Sequence, residues 1–282
     1  MLGEQDTKLD AEAYPFVSYI PCEDVIAMDE DPLVAVRRKK KSSMHLGMKA
    51  LKDSQIDALI SMGNTGALMA CARIHLKTLP HITRPALLTL VPSKGRETAL
   101  LDVGASSGAK SSHFLQFAAM GIAYQKARGT ENPKAGLLNI GSEAIKGPPE
   151  LQKAYRALAS LYEHFQGNIE ARNAFDGLVD VLITDGFTGN ILLKASEGIA
   201  RFLLEELSDH CDFTSLKKKL DYSEYPGALL AGVQGLVIKC HGTGEPTALA
   251  TSIENALTLI EKRFLQQLQK QLHLFFCKKE AL

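Results

Sequence analysis

Short apolar runs that stop at small or polar residues, each followed by a helical pattern, recur along this chain. Ala58-Leu59-Ile60 ends in Ser61-Met62-Gly63-Asn64-Thr65-Gly66 and passes into the helical pattern from Ala67 to Ala72. Val179-Asp180-Val181-Leu182-Ile183 behaves likewise, ending in Thr184-Asp185-Gly186-Phe187-Thr188-Gly189-Asn190 before a helix from Ile191. Ala99 to Gly104, Gly136 to Gly141 and Leu236 to Gly242 share the form. Apolar runs alternating with helices predict crossover units and a mostly parallel sheet covered on both faces, a three-layer α/β/α arrangement. In such sheets ligands sit at the carboxyl ends of the strands, so the site is expected where these runs meet their glycines. The apolar positions Ile253, Leu257, Ile260, Phe264, Leu268 and Leu272 predict one long amphipathic helix up to Phe276.

No linker or low-complexity tract divides the chain, which predicts a single catalytic domain over residues 1–282. A polar, lysine-bearing stretch from Asp209 to Tyr225 stands apart. With the apolar positions Ile199, Phe202, Leu203 and Leu207 before it, it marks a helical membrane or dimer segment at about 199–221. The 32 basic and 32 acidic residues cancel, which argues against a nucleic-acid partner. Five cysteines form no C-x-x-C pair and read as reduced thiols of a cytoplasmic protein. The start shows no signal peptide, and no run approaches the about 18 apolar residues of a membrane span. No cluster has metal-ligand spacing, and neither a dinucleotide fingerprint nor a P-loop is present, so no metal or cofactor is expected.

The candidate chemistry begins with two copies of Gly-x-Thr-Gly, at Gly63 to Gly66 and at Gly186 to Gly189. A glycine turn opening a helix aims backbone N–H groups at one spot and adds the helix dipole, which suits a phosphate. Thr65 and Thr188 add hydroxyl donors, although tight turns need glycine whatever they bind. Two copies in one sheet, facing the same edge, point to a phosphate or acyl-phosphate site.

In order along the chain stand Arg37-Arg38-Lys39-Lys40-Lys41-Ser42-Ser43-Met44, Gly63 to Met69, Leu100-Leu101-Asp102-Val103-Gly104-Ala105 and Gly136 to Glu143. Gly167-Asn168-Ile169-Glu170-Ala171-Arg172 and Thr184 to Asn190 follow. With these motifs the chain resembles the bacterial phosphate acyltransferase family PlsX along nearly its whole length. The resemblance implies transfer of a fatty acyl group from acyl carrier protein to inorganic phosphate. The product, an acyl phosphate, would feed phosphatidic acid synthesis through a membrane-bound glycerol-3-phosphate acyltransferase. It also implies a homodimer, a fold like phosphotransacetylase and isopropylmalate dehydrogenase, and weak, peripheral membrane contact. Two departures are plain. The family's opening strand and acidic glycine turn have no counterpart before Met1, which points to a misplaced start or a degraded function, and the Asp209 to Asp221 stretch is shorter than the family's helical hairpin.

Phosphate is already a competent nucleophile, so the protein must supply positioning and oxyanion donors rather than a covalent nucleophile. Asn64, Thr65 and the Gly63 to Gly66 backbone suit phosphate, as does Lys194. Gly186, Thr188, Gly189 and Asn190 make the second turn. Lys40, Ser42 and Ser43 join the substrate site on the strength of the resemblance, since a lysine run alone is usually solvated surface. His241 stands where phosphotransacetylases place a Ser-Arg pair, and is a catalytic candidate although a lone His is more often structural. Asp185 orients Lys194 or caps the helix it precedes, and Asp102 is either a turn former or the acid that protonates the departing thiolate. The competing readings are a phosphotransacetylase acting on acyl-coenzyme A, disfavoured by the missing Ser-Arg pair, and a non-catalytic scaffold.

Overall fold

The computed structural model describes residues 1–4, 12, 14–207, 227–240 and 246–280, the side chains of 207 and 278–280 excepted. A short parallel pair, β1 (Leu2–Glu4) and β2 (Ile20–Cys22), precedes α1 (Pro32–Arg38) and α2 (Ser43–Lys52). The main sheet opens with β3 (Ala58–Ser61), which leads into α3 (Thr65–His75). Next come β4 (Ala86–Ser93), β5 (Arg96–Leu101), α4 (Ser111–Ala127), β6 (Ala135–Asn139), α5 (Pro149–Leu161) and β7 (Phe165–Glu170). Then β8 (Val181–Ile183), α6 (Gly186–Leu207), β9 (Ala228–Ala231) and β10 (Leu236–Lys239) follow, and α7 (Pro246–Glu261) and α8 (Phe264–Glu280) close the described chain.

The five apolar runs are strands β3, β5, β6, β8 and β10 of one eight-stranded sheet, ordered β3-β10-β9-β4-β5-β8-β6-β7. Each is continuously apolar because both faces are covered. One buried cluster packs Leu101, Val181 and Ile238 against Phe117 and Met120 of α4 and Phe264 and Leu268 of α8. The other packs Leu87, Leu100 and Val237 against Met48 of α2 and Leu68 and Cys71 of α3, with Leu192 and Leu193 of α6 alongside. This is the three-layer α/β/α arrangement, with a helical layer on each side of the sheet.

The expectation that all the runs end at one edge is overturned. The flanking pairs β3–β10, β5–β8, β8–β6 and β6–β7 are parallel, but β10–β9, β9–β4 and β4–β5 are antiparallel. The physical cause is the hairpin from β4 to β5, turned at Lys94-Gly95 with Gly95 at φ 74°, together with β9. These reversals invert one flank against the other. Strands β3 and β10 therefore end at one edge, and β5, β6 and β8 end at the opposite one. The two Gly-x-Thr-Gly turns lie at opposite edges as well, not side by side.

The tail is also not one helix. It breaks between α7 and α8, where Arg263 takes φ 49°. Phe264, Leu268, Leu272 and Phe276 are buried against α4 and its neighbours as the period predicts. In α7, however, Ala248, Ser252, Ala256 and Leu259 are buried while Ile253 and Leu257 are exposed. Close packing there selects the small side chains. The stretch from Asp209 to Tyr225 lies outside the described residues. Among the described residues no helix is long and apolar enough to cross a membrane.

Candidate active site

Both α3 and α6 cover the same face of the sheet, and because their strands point oppositely they enter from opposite edges. Between them, over the central strands, is a cavity of about 570 Å³. Its wall includes Thr65 in the first turn of α3, Asn190, Lys194 and Glu197 of α6, Gly104 after β5, and Lys239 at the end of β10. The first turn of one helix thus meets the second and third turns of the other.

Among the expected site residues, Thr65, Asn190 and Lys194 are brought together here. The others have different surroundings. Asn64 is the N-cap of α3, accepting from Ala67 N at 3.1 Å, while its amide nitrogen donates to Met28 O and Glu30 O. That side chain straps the preceding loop to the helix and is 7% exposed. Gly66 sits against α1, since a Cβ there would be 2.6 Å from Cγ of Pro32, and a Cβ on Gly63 would meet Met44 Cε at 2.4 Å. These glycines allow close packing of α1, α2 and α3. Lys40 and Ser42 lie in the segment joining α1 to α2, Ser43 opens α2, and none of them lines this cavity. Lys41 pairs with Glu23 at 2.6 Å, and Lys39 pairs with Glu30. Ser42 is buried and its hydroxyl has no hydrogen-bond partner. His241 lies outside the described residues.

The second glycine turn is a clamp. Asp185 Oδ1 accepts from Phe187 N and Thr188 N, both at 3.0 Å, and Oδ2 accepts from the Thr188 hydroxyl at 2.9 Å. Asp185 is therefore the cap of α6, the plainer of its two expected roles, and Thr188 serves that cap. Lys194 instead pairs with Glu197 at 2.7 Å. Replacing Thr188 with valine is expected to lower thermal stability by about 1 kcal/mol, the usual size of a lost cap. Phosphate half-saturation should move less than twofold in the same variant, measured by initial rates.

Asp102 is fully buried. Its Oδ1 accepts from Leu87 N at 3.0 Å, Gly104 N at 3.1 Å and Ala105 N at 2.9 Å, and Oδ2 accepts from the Ser106 hydroxyl at 2.8 Å. Ser106 Oγ in turn accepts from Gly186 N at 3.2 Å. A Cβ on Gly189 would lie 2.0 Å from Asp102 O, so the start of α6 packs directly on this backbone. Burial raises the Asp102 carboxyl above its ordinary value, opposed by the hydrogen bonds from Ala105, Leu87, Ser106 and Gly104. The residue joins β4, β5 and α6 and does not line the cavity, an arrangement that suits the turn-forming one of its two expected roles.

Lys239 was not singled out by its sequence. Its ammonium donates to Met62 O at 3.5 Å and to Cys240 O, and no carboxylate among the described residues pairs with it. Burial, followed by the positive charge of Lys194, holds it below the ordinary lysine value of 10.5. A half-buried cation with no counter-ion among the described residues, in a cavity that also meets a helix N-terminus, suits an anion. The available signal was the lysine closing the apolar run Leu236-Val237-Ile238-Lys239 at a strand end.

The chain's residues 6–267 match the family model described as "Fatty acid synthesis protein". It is 43% identical over 263 residues to the phosphate acyltransferase of Chlamydia abortus, covering 93% of this chain and 82% of that protein. It is 41% identical over 266 residues to the phosphate acyltransferase of Chlamydia pneumoniae, covering 94% and 82%. In fold it is similar to a phosphotransacetylase from Streptococcus pyogenes, with a TM-score of 0.58 at 16% identity over 86% of this chain and 78% of that one.

Proposed function

Since the chain belongs to the phosphate acyltransferase family, we propose that it transfers a fatty acyl group from acyl carrier protein to inorganic phosphate. As in its relatives, the enzyme class is acyltransferase. The observation that carries this reading is the Lys239 ammonium, without a carboxylate partner among the described residues, in the cavity between the first turn of α3 and Lys194 of α6.

In this reading the phosphate is held by Lys239, the Thr65 hydroxyl and the first N–H groups of α3. One phosphate oxygen attacks the thioester carbonyl, giving a tetrahedral oxyanion that the same cationic end stabilises. Collapse breaks the C–S bond, leaving an acyl phosphate and a thiolate that takes up a proton. His241, two residues beyond Lys239 in the chain, is the proposed proton donor. Asn190 and Lys194 bound the opposite wall and position the acyl donor.

The test is thiol release from acyl carrier protein thioester, with and without phosphate, and trapping of the product by hydroxylamine. Phosphate-dependent release with a trappable acyl phosphate is expected. Faster turnover of acyl-coenzyme A would favour the phosphotransacetylase reading, and no release from either donor would favour a scaffold.

The reading extends to a cytoplasmic homodimer that touches anionic membranes through the end of α6, and to a glycerol-3-phosphate acyltransferase as the consumer of the product. Support comes from Ile199, Phe202 and Leu203, exposed along one stretch of α6. Flotation with anionic vesicles at low salt should carry the protein upward, and failure to float would remove the membrane contact.

A further inference from the structure

A second cavity, of about 290 Å³, is lined by other residues of elements that also line the first. Four elements line both in the same order. From the first cavity to the second, α3 contributes Thr65 and then Arg73, β4 with the residue before it contributes Leu87 and then Pro85, β9 contributes Ala228 and then Leu230, and the turn after β5 contributes Gly104 and then Ala105. The two are therefore stations along one trough under α3. At 1.5 Å per helical residue, Arg73 lies about 12 Å beyond Thr65.

The far station is cationic. Arg73, Arg84 and His113 line it, and no acidic residue does. Arg73 is exposed and makes no ion pair among the described residues. Arg84 donates one N–H to Gly108 O at 2.9 Å, leaving the rest of its fork free. His113 Nδ1 accepts from Lys110 N at 3.2 Å, and because a backbone N–H can only donate, the ring proton sits on Nε2 and is available to a ligand. Planar guanidinium forks match phosphate oxygens two at a time.

We propose that this station binds the phosphate ester of the donor's pantetheine arm while the thioester lies in the first cavity. The inference rests on the acyl-transfer reading above. An extended arm carries its thioester at one end and its phosphate at the other, as the trough carries Lys239 at one end and Arg73 with Arg84 at the other. The apolar residues along the way, Leu87 and Val103 of the first cavity and Pro85 and Leu230 of the second, suit the uncharged middle of the arm.

The experiment compares acyl-4′-phosphopantetheine with acyl-pantetheine, which lacks the phosphate, as donors at fixed inorganic phosphate. The unaltered protein should prefer the phosphorylated donor by about tenfold in kcat/KM, the size of one charge-assisted hydrogen bond. Arg73→Gln should abolish that preference, and Arg73→Lys should restore part of it. A preference that survives Arg73→Gln overturns the proposal, as does a rise confined to the KM for inorganic phosphate, which would make the station the substrate anion's own. Calorimetry with 4′-phosphopantetheine and pantetheine separates this from the activity. If no donor yields phosphate-dependent thiol release, the acyl-transfer reading falls, whereas Arg73-dependent binding of the phosphorylated compound alone would still uphold the station. Equal binding of both compounds would sink it.

Discussion

Replacing Asp102 with alanine is expected to leave little folded protein at 37 °C. The substitution removes a fully buried acceptor from Leu87 N, Gly104 N, Ala105 N and the Ser106 hydroxyl at once. Each buried donor left without a partner costs about 1–3 kcal/mol. Even with a water entering the space, several kcal/mol are lost from a total stability typically of about 5–15 kcal/mol. Asp102→Asn keeps the shape and an oxygen for the backbone donors, so its cost should be about 1–2 kcal/mol. The two variants also differ in pH response. Because the folded carboxyl lies above its ordinary value of 3.8, the group favours the folded state at pH below that value, and the contribution is lost as pH rises from there through the raised one. Asp102→Asn should erase that dependence. Urea denaturation from pH 3 to 7 measures both effects. An alanine variant within 1 kcal/mol of the parent would show that the clamp is not needed.

The parallel flanks were legible because a strand covered on both faces must be continuously apolar, and Ala58 to Ser61, Val181 to Ile183 and Leu236 to Lys239 are such runs. The middle of the sheet was not. Strands β4 and β9 are just as apolar, but no sequence period separates an antiparallel buried strand from a parallel one. The Lys94-Gly95 turn between apolar runs was the one local sign of reversal. Missing it placed both glycine turns at one edge.

That error spread to the site. Thr65 and Lys194, which line one cavity, were singled out in or just after a glycine turn, yet the turns themselves largely serve packing and caps, as Asn64, Gly66, Asp185 and Thr188 show. A glycine turn reads the same whether its N–H groups face a ligand or a neighbouring strand. Conversely, Lys239, Arg73 and Arg84 carry no motif that distinguishes them from solvated charge. Only the fold shows that Lys239 ends a strand beside the first turn of α3 and that Arg73 and Arg84 line one cavity.

Lys239→Met is expected to raise the phosphate KM by about ten- to a hundredfold, corresponding to the loss of about 1.5–3 kcal/mol for a hydrogen bond to a charged group. Methionine keeps most of the side-chain volume and removes a half-buried charge, so the folded state should not suffer. Burial disfavours the ammonium first, and Lys194 repels it second, so its proton is lost below 10.5, before an ordinary lysine would lose its own. Phosphate binding should therefore weaken as pH rises through that lowered value, while the phosphate itself remains a dianion. Lys239→Arg fixes the charge and should abolish this alkaline loss while retaining much of the affinity. Phosphate saturation curves from pH 7 to 10 on the three proteins decide the matter. If Lys239→Met saturates with phosphate as the parent does, with its circular dichroism unchanged, then the cation in this cavity answers to something other than phosphate and the anion must be held elsewhere along the trough.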